Sequence, residues 1–233
     1  MLLNLLSRRI GILVFLCVTM AACGAEEAQP PAGQSRAENS PEASGRVVLF
    51  IGTSLTAGYG LDPSLAWPTL IQTRIDDAGL PFRSVNAGVS GETSAGALRR
   101  IDWLVSQGSP AVVMVETGAN DGLRGNEPDS VRANLDAILT RLSLLSPRPV
   151  LIVAGMEALP NLGAEYGNRF RSIFPAMARK HDGVFLPFLL DGVAGNARFN
   201  QADGIHPNAE GSRRVADNVW ELLGPVLDSL AGR

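Results

Sequence analysis

From residue 46 onward, short apolar runs alternate with longer stretches in which apolar residues recur every three or four positions. The runs at 47–51, 83–86, 111–116, 150–153 and 184–186 predict five strands, and their shortness and apolar character suit a sheet covered on both faces. Between them lie helical stripes. Trp67, Ile71 and Ile75 share one face that Gly79 closes, and Ala97, Ile101 and Leu104 mark a second helix. Val131, Leu135, Ile138, Leu142 and Leu145 give the cleanest stripe, Tyr166, Phe170, Ile173 and Met177 the next, and Val215, Val219, Leu222 and Val226 the last. Strand and helix alternating in this way predict βαβ units and a parallel sheet. Right-handed crossovers then place helices on both faces, an α/β fold built as a three-layer α/β/α sandwich. In such sheets ligands bind beyond the carboxyl ends of the strands. Ser54 follows the first strand, Gly91 the second and Asn120 the third, so three distant segments should meet at one edge.

The first 45 residues follow another pattern. Arg8 and Arg9 precede an apolar run at 10–18, too short for a comfortable bilayer span, which leads into Thr19-Met20-Ala21-Ala22-Cys23. The segment reads as an export signal. Small residues before a cysteine, with Gly24 after it, look like a bacterial lipobox, although Met20 stands where Leu is more usual. Cys23 is therefore expected to carry a lipid anchor, the alternative being an ordinary cleaved signal with an incidental cysteine. Residues 24–45 contain no Val, Ile, Leu, Met, Phe, Trp or Tyr and cannot bury apolar surface, so a disordered tether is expected there. The expected organisation is an export signal at 1–23, a linker at 24–45 and one globular domain at 46–233.

The composition narrows the chemistry. With 45% hydrophobic and 18% charged residues, the 233-residue chain has the balance of a single α/β domain with a segment attached. A net charge of −3 with no basic run leaves no electrostatic footprint for nucleic acid. Both cysteines, Cys17 and Cys23, precede the globular part, so no disulfide staples it, and with only His181 and His206 as soft ligands a Cys/His zinc site is excluded. No internal repeat is visible.

Three segments carry reactive groups: Gly52-Thr53-Ser54-Leu55, Gly118-Ala119-Asn120-Asp121-Gly122 and Asp203-Gly204-Ile205-His206-Pro207. A nucleophilic serine needs a base to take its proton, an acid to hold that base in one tautomer, and preset donors for the oxyanion that forms. Ser54, His206, Asp203 and Asn120 can fill those roles. Taken singly each has a plainer reading: Ser54 as a helix cap, Asp203-Gly204 as a turn beside an incidental histidine, and Asn120 as a loop residue tolerating positive φ. Ser90-Gly91 is an ordinary turn, yet a glycine there also lets a backbone N–H approach a substrate closely. Glu92 and Asp121 read as supports for these loops, Glu116 and Thr117 as the end of a strand, and His181 as a solvated or dipole-capping residue at a helix end. Ser54 is not in a Gly-x-Ser-x-Gly elbow, because Thr56 replaces the second glycine, and Gly58 and Gly60 lack the spacing of a phosphate loop.

With Asn86-Ala87-Gly88-Val89-Ser90-Gly91-Glu92-Thr93 added, the segments resemble, in order, the four blocks of the SGNH or GDSL-like hydrolase superfamily. The resemblance runs from about residue 47 to 223 and is nearest to the bacterial branch of thioesterase I, lysophospholipase L1 and arylesterase. One departure stands out: the family's Asp before the serine is Thr53 here. The resemblance implies a flavodoxin-like strand order 2-1-3-4-5 and a serine carboxylic ester hydrolase acting through an acyl-enzyme. Its catalytic residues would be Ser54, Asp203 and His206. The Ser54 and Gly91 backbone N–H groups and the Asn120 amide would form the oxyanion hole, with no metal or organic cofactor. Expected substrates are aryl esters, acyl-thioesters or lysophospholipids, and Leu123, Leu159 and Leu162 are expected to line an apolar groove beside Ser54. Two other readings are a cell-envelope carbohydrate deacetylase and a lipoprotein that binds lipid or glycan without turnover. The protein is expected to be exported to the periplasm or cell envelope, held to a membrane through Cys23, and monomeric.

Overall fold

The structure, a computed structural model, describes residues 45–233. The expected export signal, Cys23 and the linker up to residue 44 lie outside the described residues. Five strands, β1 (Arg46–Gly52), β2 (Phe82–Gly88), β3 (Val112–Val115), β4 (Val150–Ala154) and β5 (Val184–Leu186), form one sheet in the order β2-β1-β3-β4-β5. Every pairing is parallel. Seven α-helices connect and follow them among the described residues: α1 (Ser54–Ala57), α2 (Trp67–Asp77), α3 (Ser94–Ser106), α4 (Ala119–Arg124), α5 (Pro128–Ser143), α6 (Ala164–Lys180) and α7 (Ala209–Ala231). The expected α/β/α sandwich and its flavodoxin-like strand order are both present.

Burial explains why the strands were visible as apolar runs. All four β3 residues and most of β1 and β4 are enclosed between helical layers, with α2 against α7 in one and α3, α5 and α6 in the other. The ring of Phe50 on β1 meets Trp67 on α2 edge to face at 4.7 Å, which locks α2 onto β1. On α6, Phe170 packs between Tyr166 and Phe174. The α7 stripe differs from expectation after Val219. Leu223 and Leu227 are fully buried, whereas Leu222 and Val226 are half-buried, because Val215, Val219, Leu223 and Leu227 form a single i,i+4 row. Leu145 lies just past the end of α5 and still packs partly on the core.

The elements nearest the expected site have well-defined starts. Thr53 caps α1 through its side-chain oxygen, and Asn208 caps α7 by accepting from the Glu210 and Gly211 N–H groups at 3.0 Å each. No helix of the described residues is long and apolar enough to cross a membrane.

Candidate active site

Register brings the three reactive segments together. β1 lies between β2 and β3, with Gly52 opposite Gly88 and Ile51 opposite Val115, so the turns leaving these strands emerge side by side. Ser54 opens α1, Gly91 lies in the turn after β2, and Asn120 stands in the first turn of α4 after β3. Asn120 is thus helical and not in a positive-φ loop. Gly118, at φ 96°, supplies the left-handed residue at the helix cap. Gly91 itself sits at φ 78°, with nothing within 4 Å of where a Cβ would be, so its need for glycine is conformational and not steric.

The fourth segment arrives from the far side of the sheet. Between β5 and α7 the chain forms a small loop closed by an antiparallel bridge from Asn200 to Pro207 and by the Gln201 N–H donating to the His206 carbonyl at 2.7 Å. At its tip Asp203 uses both oxygens. Oδ1 accepts from the Ile205 and His206 N–H groups at 2.9 and 3.0 Å, and Oδ2 accepts from His206 Nδ1 at 2.6 Å. A carboxylate can only accept, so Nδ1 carries the proton and Nε2 is left to receive one. Ser54 Oγ lies 2.9 Å from that Nε2. The His206 ring also leans on Tyr59, with ring centroids 4.7 Å apart, and Gln201 Nε2 donates to the Tyr59 and Pro207 carbonyls. The base loop and the nucleophile turn are therefore tied together twice.

Donors face the same spot. Asn120 Nδ2 donates to the Glu92 carbonyl at 2.9 Å, which leaves its second N–H for a ligand. Glu92 is held by Arg100 through two bonds of 2.7 and 2.6 Å, and the same guanidinium reaches the Ala87 carbonyl at 2.7 Å. Asp121, buried, accepts from the Ser94 N–H and hydroxyl and from Asn126 Nδ2. Glu92 and Asp121 thus brace the loops as expected. His181 stands at the C-cap of α6, the expected helix end, but it is not solvated: its ring is largely buried and pairs with Asp136 at 2.7 Å. Lys180, with His181 beside it, holds the Asp136 carboxyl below the usual carboxylate range.

Beside Ser54 opens a cavity of about 540 Å³, lined on one side by Leu123, Met156, Ala158, Leu159, Phe188 and Leu190. Leu123 and Leu159 are where the sequence placed them. Leu162 is not part of the wall; it sits in a short 3₁₀ turn (Pro160–Leu162), and its side chain packs toward Gly125.

Sequence reasoning missed Glu116. It does stand at the end of β3, as expected, but it is 1% exposed, and its carboxylate accepts from the Thr53 N–H at 2.7 Å, from Thr56 Oγ1 at 2.9 Å and from Thr53 Oγ1 at 3.0 Å. Burial pushes it up to about 7, against the pull of those donors. The available signal was weak: an acidic residue continuing directly from an unbroken apolar strand.

A cavity-lining serine, an imidazole and a carboxylate in hydrogen-bonded series at the carboxyl edge of a doubly wound sheet define a serine ester hydrolase. Comparison with known proteins agrees. The chain belongs to the GDSL-like lipase/acylhydrolase family, whose model matches residues 50–214. It is 38% identical to Esterase TesA of Pseudomonas aeruginosa over 80% of this chain and 92% of that protein. It is 35% identical to thioesterase 1/protease 1/lysophospholipase L1 of Escherichia coli, over 78% and 85% respectively. Among solved structures, TesA superposes with a TM-score of 0.74 at 38% identity, covering 78% of this chain and 99% of that one. The SGNH-hydrolase family esterase AlinE4 superposes with a TM-score of 0.65 at 38% identity, covering 79% and 97%.

The Asp203 geometry has a consequence for stability. The His206 ring, then the His206 and Ile205 N–H groups, hold its carboxyl down at about 2, below the ordinary 3.8. A depressed carboxyl lends stability that is complete above the ordinary value and drains away as pH falls through the folded one. Asp203→Asn should therefore flatten the loss of stability between about pH 4 and pH 2, read as urea midpoints at stepped pH. Parallel wild-type and variant curves over that window would contradict the assignment.

Proposed function

We propose that Ser54 is the nucleophile of a carboxylic ester or thioester hydrolase, with His206 as its base and Asp203 as the orienting acid. The observation that carries this reading is the unbroken series from Ser54 Oγ through His206 to Asp203, with links of 2.9 and 2.6 Å. Ser54 Oγ attacks the acyl carbonyl as its proton passes to His206 Nε2. The resulting imidazolium is stabilised by Asp203, which stays ionised. The Ser54 and Gly91 N–H groups and the free N–H of Asn120 receive the developing oxyanion. His206 then returns the proton to the leaving oxygen or sulfur, an acyl-Ser54 ester remains, and water attacks it by the same route in reverse. Every group required is a side chain or backbone amide of this chain.

A fluorophosphonate probe tests the chemistry, because a base-activated hydroxyl attacks phosphorus as it attacks a carbonyl. Wild-type protein should be labelled at Ser54, and Ser54→Ala should take up nothing. Folded wild-type protein that resists the probe would remove the basis for hydrolysis and favour a binding role.

The apolar cavity wall supports acyl chains longer than acetyl as the substrate class, and the names of the relatives, an esterase and a thioesterase, are compatible with it. Each methylene removed from water contributes about 0.8 kcal/mol, severalfold in rate when the contact is made in the transition state. The ratio kcat/KM should rise from acetyl to medium chains, and Leu159→Ser should flatten the rise. Rates highest for acetyl and falling with every added carbon would instead favour a deacetylase.

We also propose that residues 1–23 direct export and that Cys23 carries a lipid anchor, with 24–45 as tether; the lipobox-like sequence supports this. Cys23→Ser should shift the protein from membrane to soluble fractions or block its maturation. Soluble, unmodified wild-type protein in its native cell would rule the anchor out.

A further inference from the structure

We infer that Glu116 is a positioning residue for the nucleophile: its buried carboxylate gathers Thr53 and Thr56 and so fixes where the Ser54 hydroxyl stands relative to His206. The inference rests on Ser54 being the nucleophile, and it concerns a group that the reaction scheme above does not use.

Topology delivers the carboxylate. Glu116 is the first residue past β3, the strand beside β1, and its own N–H donates to the Ile51 carbonyl at 2.8 Å, so its side chain meets the turn that leaves β1. The contacts then bracket Ser54. Thr53, immediately before it, gives both its N–H and its hydroxyl, and Thr56, two residues after it, gives its hydroxyl. Space for the cluster depends on glycine at position 52. A Cβ there would stand 2.0 Å from Thr56 Oγ1 and 2.6 Å from Glu116 Oε2, closer than any real contact.

The donor set decides which form of Glu116 belongs in the site. Three donors converge on it, which suits a carboxylate that only accepts. A protonated acid would bring a fourth proton, and one threonine hydroxyl would have to turn away. Besides these donors from α1 and its cap, no ionisable side chain among the described residues bears on Glu116; burial is the main influence and the threonine hydrogen bonds oppose it. Residue 53 is where this arrangement is set. An Asp at 53 would put a second carboxyl against Glu116, where two like charges cannot both ionise cheaply. Thr53 supplies a donor instead. A single carboxylate can therefore anchor the turn in the ionised state.

The test compares full-length wild type with Glu116→Gln, Thr56→Val and Thr53→Asp. It measures the rate of fluorophosphonate capture at Ser54, and kcat and KM on one ester, across pH. Glu116→Gln should lower kcat and the capture rate about 10-fold to 100-fold at pH ~8, a loss of the size expected for a misplaced reacting group, with KM changed less than about twofold. The gap should narrow toward pH ~5.5, because the wild type itself then loses the charge. Thr56→Val, which keeps the acid but removes one donor to its charged form, should shift the acid limb of activity to higher pH, and this variant remains informative if Glu116→Gln fails to fold. Thr53→Asp should depress activity near neutral pH, and part of that loss should be recovered when it is combined with Glu116→Gln. A Glu116→Gln enzyme with wild-type capture, or one whose deficit is the same at every pH while Thr56→Val leaves the acid limb in place, would reduce Glu116 to a folding role. Failure of the wild type to react with the probe would overturn the hydrolase reading and this inference with it, whereas a reactive wild type with unaltered variants overturns this inference alone.

Discussion

Because β1 pairs with β2 along its whole length and with β3 from Val48 to Ile51, the chain leaves three neighbouring strands at almost the same height. Adjacent strands lie about 4.8 Å apart, so turns far separated in sequence are held within side-chain reach of one another. A nucleophile, a backbone amide donor and a carboxamide donor can then be set by hydrogen bonds that the sheet already makes. If the β1–β2 pairing slipped by one residue, Gly91 would be carried past Ser54 and the β2 side chains would change faces. The apolar cladding of α2 and α7 on one face and α3, α5 and α6 on the other makes that slip costly, and so the packing of the core specifies the geometry of the site.

The two carboxylates nearest Ser54 show how environment assigns different work to the same group. Asp203 lies at an exposed loop tip, contacts an imidazole and two N–H groups, and is held down at about 2. Glu116 is enclosed, contacts only neutral donors, and is pushed up to about 7. The first remains charged throughout the neutral range and can stabilise an imidazolium, whereas burial pushes the second up toward the neutral range. One carboxylate faces the proton relay and the other faces the turn that presents the nucleophile, so each acts on Ser54 from a different side.

How much of this was legible in the sequence depended on whether the signal was local. β1, β3 and β4 were readable because strands buried on both faces leave unbroken apolar runs, although their ends were not: β1 extends to Gly52 and β2 to Gly88, residues added by backbone pairing and not by side-chain character. Asp203 and His206 were readable because they stand three positions apart and a turn composition joins them. α4 was not, since six residues between two glycines carry no helical period, and Asn120 consequently looked like loop. The contacts of Glu116 were not readable for a related reason. Its partners Thr53 and Thr56 are about 60 residues away in sequence, and nothing adjacent to it announces that an acidic side chain turns inward.

Chemistry and substrate fit are assigned to different parts of the fold. Ser54, Gly91 and Asn120 stand next to β1, β2 and β3, and Asp203 and His206 stand on a loop pinned to Tyr59 through Gln201. Much of the apolar cavity wall comes instead from the segments after β4 and β5, around Met156–Leu159 and Phe188–Leu190. These two segments are joined chiefly to each other, through the Gly155 N–H to the Leu186 carbonyl and the Leu189 N–H to the Gly155 carbonyl. The exposed wall residue Leu159 can change size or polarity without moving β1, β2 or β3, because loop substitutions perturb the packed core least. The same constellation can therefore be kept while the accepted acyl group varies, which is consistent with relatives that share the fold yet bear the names esterase, thioesterase and arylesterase.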